Sequence, residues 1–563
     1  MITDVLVVGG GINGAGIARD LAGRGLGVVL CEQDDLAQHT SSASTKLIHG
    51  GLRYLEQYEF GLVRKALAER ERLLKSAPHI MRPLRFVMPH DGSDPAARPV
   101  WMIRAGLFLY DHLARREWLP GSRTVDLPGH PAGAALQPRF GKGFVYSDGW
   151  VDDARLVVLN AVAAAAHGAK VMTRCRCLSA ERRGGHWHAV LQPALAAQAG
   201  APGGAQTDAQ VDAQADAQAD AQADAQAAAP GPARTVTVQA RALVNAAGPW
   251  TAEFLRERAS LPSAHSLRLV KGSHIVVRKL FDHDHAYIFQ NPDGRVIFAI
   301  PYEGDFTLIG TTDVDVHGAP DSAHIDSDEI SYLCAQVSRY FTQPVRPADV
   351  VWSYSGVRPL LDDEAGQASA VTRDYLLEFD DGPVAANGVA RAAPLLSVWG
   401  GKITTFRKLA EEAADALVKR LRHSDTIDPA SGQTETPPRR AWTASASLPG
   451  GDLSAWIGPP QRPDTDIARF IAVLAGRQPQ LPAALVQRWA RCYGSRVELI
   501  LAAGGCASEM VAPGLYAAEL EVLYHHEWAR SADDVLWRRT KLGLHLSAAE
   551  RLRVAQWWGQ RFS

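Results

Sequence analysis

Several stretches of this chain combine glycines, hydroxyls and cations in patterns that could hold a flat anionic ligand and do chemistry beside it. The first begins with Val5-Leu6-Val7-Val8, a β-branched apolar run, and passes directly into Gly9-Gly10-Gly11-Ile12-Asn13-Gly14-Ala15-Gly16. A G-x-G-x-x-G set that closes a strand and opens a helix lets backbone N–H groups approach a pyrophosphate. A second apolar run, 27–31, ends in Glu32, an acid placed to accept ribose hydroxyls. Gly9, Gly11, Ile12, Asn13, Gly14 and Glu32 are therefore dinucleotide-binding candidates, and this segment alone does not separate FAD from NAD.

The stretch 41–54 (SSASTKLIHGGLRY) follows. Its small hydroxyl residues and glycines permit close backbone approach to a planar ligand. Ser41, Ser42, Thr45, Lys46, His49, Gly50 and Gly51 are read as cofactor contacts, with Arg53 and Tyr54 projecting a cation and a phenol. The strand Leu243-Val244-Asn245 runs into Ala246-Ala247-Gly248-Pro249-Trp250, a further close-approach turn that contributes Gly248 and Trp250. Lys271-Gly272-Ser273-His274 opens an apolar strand, where His274 suits a base or hydrogen-bond donor toward a substrate oxygen. Thr312 and Asp313 lie downstream in Gly310-Thr311-Thr312-Asp313. In Gly356-Val357-Arg358-Pro359-Leu360 the proline holds the backbone of Arg358 extended. In 400–407 (GGKITTFR) Lys402 follows two glycines and opens a helix whose N-terminal N–H groups suit an electron-rich flavin edge. Gly356, Gly401, Ile403 and Thr404 join the set. Arg53, Arg358, Arg373 and Lys402, with His274, make the site rich in cations, and guanidinium forks bind phosphate in a bidentate manner. A small phosphorylated or carboxylated substrate is expected.

These segments need a frame to position them. At 563 residues, 46% hydrophobic and 21% charged, the chain supports two or three domains and a large core. A net charge of -2 offers no whole-molecule field for nucleic acid. Six scattered cysteines suit a reducing compartment. Cys175 and Cys177 alternate with Arg174 and Arg176 on an expected strand, no second Cys/His pair completes a zinc site, and no metal is expected. The N-terminus reads as the first strand of the fold rather than a signal peptide, and no apolar run reaches the ~18 residues of a spanning helix.

Periodicity predicts a βαβ unit over 1–36 and an amphipathic helix over 58–76. It also predicts an Ala/Val/Leu helix over 152–167, a strand over 171–177, antiparallel strands over 268–315 and a helix over 405–420. A Pro/Ser-rich linker near 430 leads to a Trp-rich helical tail. Within 192–233 the repeat Asp-Ala-Gln-(Ala/Val) spaces Asp208, Asp212, Asp216, Asp220 and Asp224 four apart. On a helix these carboxylates would repel along one face with no apolar face to bury, so the segment is read as a disordered acidic insertion between strands at 186–191 and 234–239. The fold class is α/β and α+β: a Rossmann-type domain interrupted by an antiparallel-sheet substrate domain, with an α-helical C-terminal domain. The Rossmann-type domain is assigned 1–75, 146–250 and 391–428, the substrate domain 76–145 and 251–390, and the helical domain 440–563.

Segments 8–25 (VGGGINGAGIARDLAGRG), 41–56 (SSASTKLIHGGLRYLE), 146–156 (YSDGWVDDARL), 271–277 (KGSHIVV), 309–314 (IGTTDV), 354–360 (YSGVRPL), 400–410 (GGKITTFRKLA) and 530–541 (RSADDVLWRRTK) run in order along the chain. Together they resemble the FAD-dependent, respiratory glycerol-3-phosphate dehydrogenases. The resemblance implies non-covalent FAD in an amino-acid-oxidase/glutathione-reductase-like arrangement. It implies oxidation of sn-glycerol 3-phosphate at C2 to dihydroxyacetone phosphate, hydride passing from C2 to flavin N5, and electrons passing to membrane quinone. It also implies a cytoplasmic protein held peripherally on the inner face of the cytoplasmic membrane, and leaves a homodimer open. Carried over by position, Arg53, Tyr54, His274, Arg358, Arg373 and Lys402 line the substrate end, with Thr312 and Asp313 nearby. Arg358 and Arg373 would hold phosphate, His274 would act as base on the C2 hydroxyl, and Lys402 or Arg53 would favour the anionic reduced flavin or the developing alkoxide.

The chain departs from the family pattern in the acidic insertion, in Phe406 where tyrosine is usual, and in a lengthened stretch at 380–394. The calcium loops of animal mitochondrial relatives are missing from the tail. Residues 100–118 (VWMIRAGLFLYDHLARREW) mix exposed-type aromatics with Arg104, Arg115 and Arg116, as an interfacial helix does, and Trp557-Trp558 are a second docking candidate. The rival readings are a glycerol-3-phosphate oxidase using oxygen, a related FAD amine or amino-acid oxidase, and a flavin-holding protein without turnover.

Overall fold

A computed structural model describes residues 1–56, 58–92, 98–194, 234–362, 374–382, 392–425 and 440–562. The acidic insertion and Arg373 lie outside the described residues, as does most of the lengthened stretch at 380–394.

The fully apolar run 5–8 forms the strand Ile2–Val8 at the centre of an eight-stranded sheet. It pairs in parallel with Val28–Cys31 on one side and with Val236–Asn245 on the other, and Lys170–Met172 and Leu395–Gly400 extend the parallel set. Strands buried on both faces need such continuous hydrophobic stretches. The helix Ile12–Gly23 packs against Asp153–Ala166 and Phe406–Asp425. This approach is close: a Cβ at Gly14 would stand 1.9 Å from the carbonyl oxygen of Gly9, and one at Gly16 would stand 2.9 Å from the Phe406 ring. Asp152 caps Asp153–Ala166 by accepting the N–H of Arg155 at 3.1 Å. The antiparallel pair His186–Pro193 and Val236–Asn245 brackets the acidic insertion. The strand expected over 171–177 divides into Lys170–Met172 and Cys175–Arg183, because Arg174 turns the chain with φ +50°.

The second sheet has ten strands. Its centre is antiparallel, with Leu267–Arg278 between Val350–Leu361 and Phe306–Gly310. One internal pair, His285–Gln290 with Met81–His90, is parallel. The expected boundaries shift where strands cross them. Lys142–Val151, which spans the 145/146 boundary, belongs wholly to the second sheet, paired with Met81–His90. Leu47–Ile48, placed in the first segment of the Rossmann-type domain, pairs there too. Tyr375–Asp380, assigned to the substrate domain, is instead an antiparallel edge of the first sheet. A short apolar strand carries no mark of which sheet will accept it.

The tail forms a helical domain around Trp489, Phe470, Tyr493 and Val535. Buried ion pairs tie it to the first sheet. Arg539 grips Asp35 through two hydrogen bonds of 2.7 and 2.8 Å, and Arg155 meets Glu527, with no side chain of the four exposed. Arg174 Nη2 donates to both carboxylate oxygens of Asp534, at 2.9 and 2.8 Å. Phe406 is 1% exposed in the core beneath Ile12–Gly23, so the phenylalanine fills a packing position. Trp558 is likewise buried, which removes it as a membrane contact, while Trp557 is half-buried and donates to Glu509 at 2.9 Å.

Candidate active site

A cavity of about 570 Å³ opens at the carboxyl ends of the parallel strands, where open α/β sheets bind their ligands. Ile2–Val8 delivers Gly9, Gly11, Ile12 and Asn13 to its wall, and Val28–Cys31 delivers Glu32. Val236–Asn245 leads to Gly248 and Trp250, and Leu395–Gly400 to Gly401, Lys402, Ile403 and Thr404. The loop after Glu32 supplies Ser41, Thr45, His49 and Tyr54, while the second sheet supplies Gly356 and Arg358. Most of the residues chosen for their types thus meet around one space.

The nucleotide end is built from backbone. Gly9 has φ +105°, and a Cβ there would lie 2.4 Å from the Ala246 carbonyl oxygen. Ile12–Gly23 starts on the cavity wall with no side-chain cap, so its first N–H groups face the space; that of Ile12 donates to Ser41 Oγ at 3.0 Å. Glu32 accepts the N–H groups of Gly10 at 2.6 Å and Asp34 at 2.9 Å. Its burial pushes the carboxyl pKa up despite those bonds. Asn13 donates through Nδ2 to the Gly400 carbonyl at 3.2 Å, and its buried Oδ1 has no partner among the described residues. The trio Glu32, Asp34 and His39 is close enough to share an ion, but it is internally satisfied, with His39 Nε2 2.8 Å from Asp34.

At the other end, Arg358 donates to Thr311 Oγ1 at 2.9 Å and pairs with Asp313, which holds the guanidinium against the wall. The Lys402 ammonium sits 3.5 Å from the centroid of the Tyr54 ring. Gly51, at φ +80°, leaves room for that ring, which a Cβ would meet at 2.1 Å. Arg53 belongs to the turn Leu52–Leu55, but its side chain lies outside what the structure describes.

Other expected contacts become supports. Lys46 is 1% exposed and turned away from the cavity; its Nζ pairs with Asp153 at 2.7 Å and donates to the Ser42 carbonyl at 3.1 Å. Asp153 also accepts the hydroxyl of Ser44 at 2.7 Å, so this buried pair anchors the loop. Gly14 serves helix packing, and Gly50 donates to the Tyr110 hydroxyl at 2.9 Å; neither stands on the wall, nor do Ser42 and Gly51. Thr312 is buried and donates to Glu329 at 2.7 Å, and Asp313 is engaged by Arg358, so both act behind the wall.

His274 is also displaced from the wall. It is 1% exposed, its ring stacks on Tyr354 with centroids 4.8 Å apart, and the absence of a side chain at Gly310 accommodates it. Its Nε2 lies 2.9 Å from Thr45 Oγ1, and Thr45 does stand on the wall. Burial first, then the charges of Arg358 and Lys46, drive its pKa well below the ordinary histidine value. It is therefore a neutral imidazole one hydroxyl away from the cavity. The wall residues not singled out from sequence include Thr311, Phe298, His39, Arg176 and Arg258. Alternation at the strand end is the signal for Thr311, which faces out where its neighbour Thr312 faces in.

A family model described as FAD dependent oxidoreductase matches residues 4–407, and one described as the C-terminal domain of alpha-glycerophosphate oxidase matches 441–556. The chain belongs to the FAD-dependent oxidoreductase family. It is 48% identical to the glycerol-3-phosphate dehydrogenase of Pseudomonas aeruginosa, over 99% of this chain and 95% of that protein. It is 45% identical to the D-erythritol 1-phosphate dehydrogenase of Brucella abortus, over 99% and 97% respectively. The FAD complex of the glycerol-3-phosphate dehydrogenase from Bacillus halodurans superimposes with a TM-score of 0.70 at 25% identity, over 100% of this chain and 90% of that one. The resemblance carried by the motifs thus extends along the whole chain. The cavity fits this family's cofactor. Glycines would make the pyrophosphate-side wall, Glu32 would accept ribose hydroxyls, and Asn13 Oδ1, without a partner among the described residues, would accept from a hydroxyl-bearing chain.

Proposed function

We propose that this flavoprotein oxidises sn-glycerol 3-phosphate at C2 to dihydroxyacetone phosphate and passes the electrons to a membrane quinone. The observation that carries the reading is the convergence of Arg358 and Lys402 on one cavity with the glycine-rich dinucleotide wall. When bound, FAD would supply the redox chemistry as the hydride acceptor. The residues of the chain bind, orient and move the proton. Arg358, fixed by Asp313 and Thr311, takes the phosphate, with Arg373 as its expected partner. Lys402, with Arg53, stabilises negative charge at the oxidation end. As Thr45 Oγ1 accepts the C2 hydroxyl proton, its own proton passes to Nε2 of His274, an imidazole that burial and the charges of Arg358 and Lys46 hold neutral beforehand.

A surface helix supports delivery of electrons to a lipid-soluble acceptor. No described helix is long and apolar enough to cross a membrane. On Val100–His112, however, Trp101 is 69% and Phe108 61% exposed, and Met102 and Leu109 are exposed beside them. The opposite face is fixed: Tyr110 donates to Asp148 and accepts the N–H of Gly50, in the active-site loop. An apolar face so close to that loop suits a protein held peripherally on the inner face of the cytoplasmic membrane.

Substrate length is the point on which the relatives divide, since one of them is a D-erythritol 1-phosphate dehydrogenase. Anaerobic mixing of the flavin-loaded protein with glycerol 3-phosphate, erythritol 1-phosphate and unphosphorylated glycerol tests the reading. Glycerol 3-phosphate should bleach the flavin fastest and glycerol should leave it yellow. Faster bleaching by the four-carbon ester would transfer the assignment to that substrate. Reoxidation should be rapid with a quinone analogue and slow with oxygen; stoichiometric peroxide would make the protein an oxidase.

A further inference from the structure

A second cavity, of about 560 Å³, lies where the second sheet meets the helical domain. Its walls come from Met81–His90, the turn between Leu267–Arg278 and His285–Gln290, and the helices Pro463–Arg477 and Ala483–Tyr493. Two arginines reach it from opposite domains, Arg82 and Arg491. Neither guanidinium has a hydrogen bond or ion pair among the described residues. The Arg82 guanidinium sits over the Trp150 ring, 4.5 Å from the centroid, a contact that leaves its N–H groups available to other partners.

Among the described residues the acids around the cavity form no ion pair with either arginine. Asp282 is engaged by Lys279 at 2.9 Å and Asp464 by Arg462 at 3.2 Å. Glu303 first, and then Asp284, favour the charge of Arg82 through space without forming an ion pair. Behind Arg491 stands His79, fully buried and held neutral, its pKa pushed down to about 3 by burial and by the charges of Arg155, Arg496 and Arg491. The Arg491 pKa is itself drawn down to about 10, by burial and then by the positive charge of Arg82. Two partly buried guanidiniums repel across a ligand-sized space, an arrangement that favours an anion between them.

We propose that this interdomain cavity binds a small phosphate-bearing anion, clamped between Arg82 and Arg491. Guanidinium forks match phosphate oxygens through paired N–H donors, and the volume admits a phosphorylated metabolite as well as inorganic phosphate. The site is separate from the active-site arginine, Arg358, and does not depend on the substrate assignment. Occupancy would join the two domains through one ligand and stabilise their docking.

The test is thermal unfolding of the flavin-loaded, full-length protein against inorganic phosphate, at an ionic strength held constant with chloride. The melting temperature should stay level below the binding midpoint and rise by on the order of 1–2 °C per tenfold increase above it. Arg358→Ala should keep that response and Arg491→Gln should lose it. Without phosphate, Arg491→Gln should melt no lower than the parent, because the charge removed faces another cation. If Arg491→Gln does not fold, Arg82→Gln is read by the same criteria. An equal rise in both parent and the cavity variant would overturn the proposal, as would a rise abolished by Arg358→Ala, or no rise in the parent.

Discussion

Arg358 is placed by two neighbours, Thr311 and Asp313, that leave it little freedom on the cavity wall. Arg358→Ala should therefore raise KM for glycerol 3-phosphate roughly 10- to 100-fold, the value of a charge-assisted clamp, with bound flavin unchanged in the absorption spectrum. Loss of flavin instead would make Arg358 a cofactor or folding residue. For His274 the pH dependence is the sharper readout. Its folded pKa lies well below 6.5, so the imidazole stays unprotonated as pH falls through the usual histidine range. The acid limb of kcat/KM should accordingly lie below that range in the parent. Thr45→Val and His274→Gln should each lower kcat by about 10²- to 10⁴-fold, while Thr45→Ser retains activity. The residue types in this region declare their chemistry, because glycines, hydroxyls and cations around a strand end have few other uses together. Their direction is not written in the chain. Lys46 and Lys402 both follow small residues in polar loops, and only the position of Asp153 decides that Lys46 turns inward. Thr311 and Thr312 are indistinguishable as types, and Glu329, remote in sequence, draws one of them away from the wall.

At the scale of elements, Val100–His112 divides its faces between two tasks. Leu107 and Tyr110 bind the protein, and Trp101 and Phe108 are left to the outside. Replacing both exposed aromatics with serine should weaken binding to anionic phospholipid vesicles at least about tenfold, measured by co-sedimentation, with turnover of a water-soluble quinone analogue preserved. Arg115→Glu should weaken it further; Arg116 is already held by Asp111 at 2.7 Å. Unchanged vesicle binding in both variants would exclude this helix as the anchor. The βαβ unit and the long helices are legible from periodicity, since one face of each must be apolar. Sheet membership is not legible. Tyr375–Asp380 and Lys142–Val151 have ordinary strand compositions, and their sheet is chosen by partners such as Leu395–Gly400 and Met81–His90 far along the chain.

Across the whole molecule, the helical domain is fastened to the dinucleotide sheet by charges taken fully out of water. Arg155 and Glu527 are the clearest pair, with neither side chain exposed. Glu527→Gln would leave the guanidinium buried with a weakened partner and should cost about 3–5 kcal/mol, seen as a lower melting temperature. The pair also sets an acid limit. The Glu527 pKa is depressed to about 2 by Arg155, against its burial, so its contribution is complete above the unfolded carboxyl value and is lost as pH falls toward 2. The variant should lack that part of the acid sensitivity in denaturant titrations between neutral pH and pH 3. This docking also gives the segment 530–541 a structural reason for its family likeness: Arg538 and Arg539 both seize Asp35, just past Glu32 on the cavity wall. The central claim is that the cavity joined by these domains presents the central C–H of a phosphorylated three-carbon alcohol to the flavin. Single-turnover flavin bleaching at saturating glycerol 3-phosphate, with deuterium at C2 and separately at C1 and C3, tests it most directly. A primary isotope effect confined to C2 is the predicted result. Bleaching that is absent, or equally fast with deuterium at C2, would contradict the account.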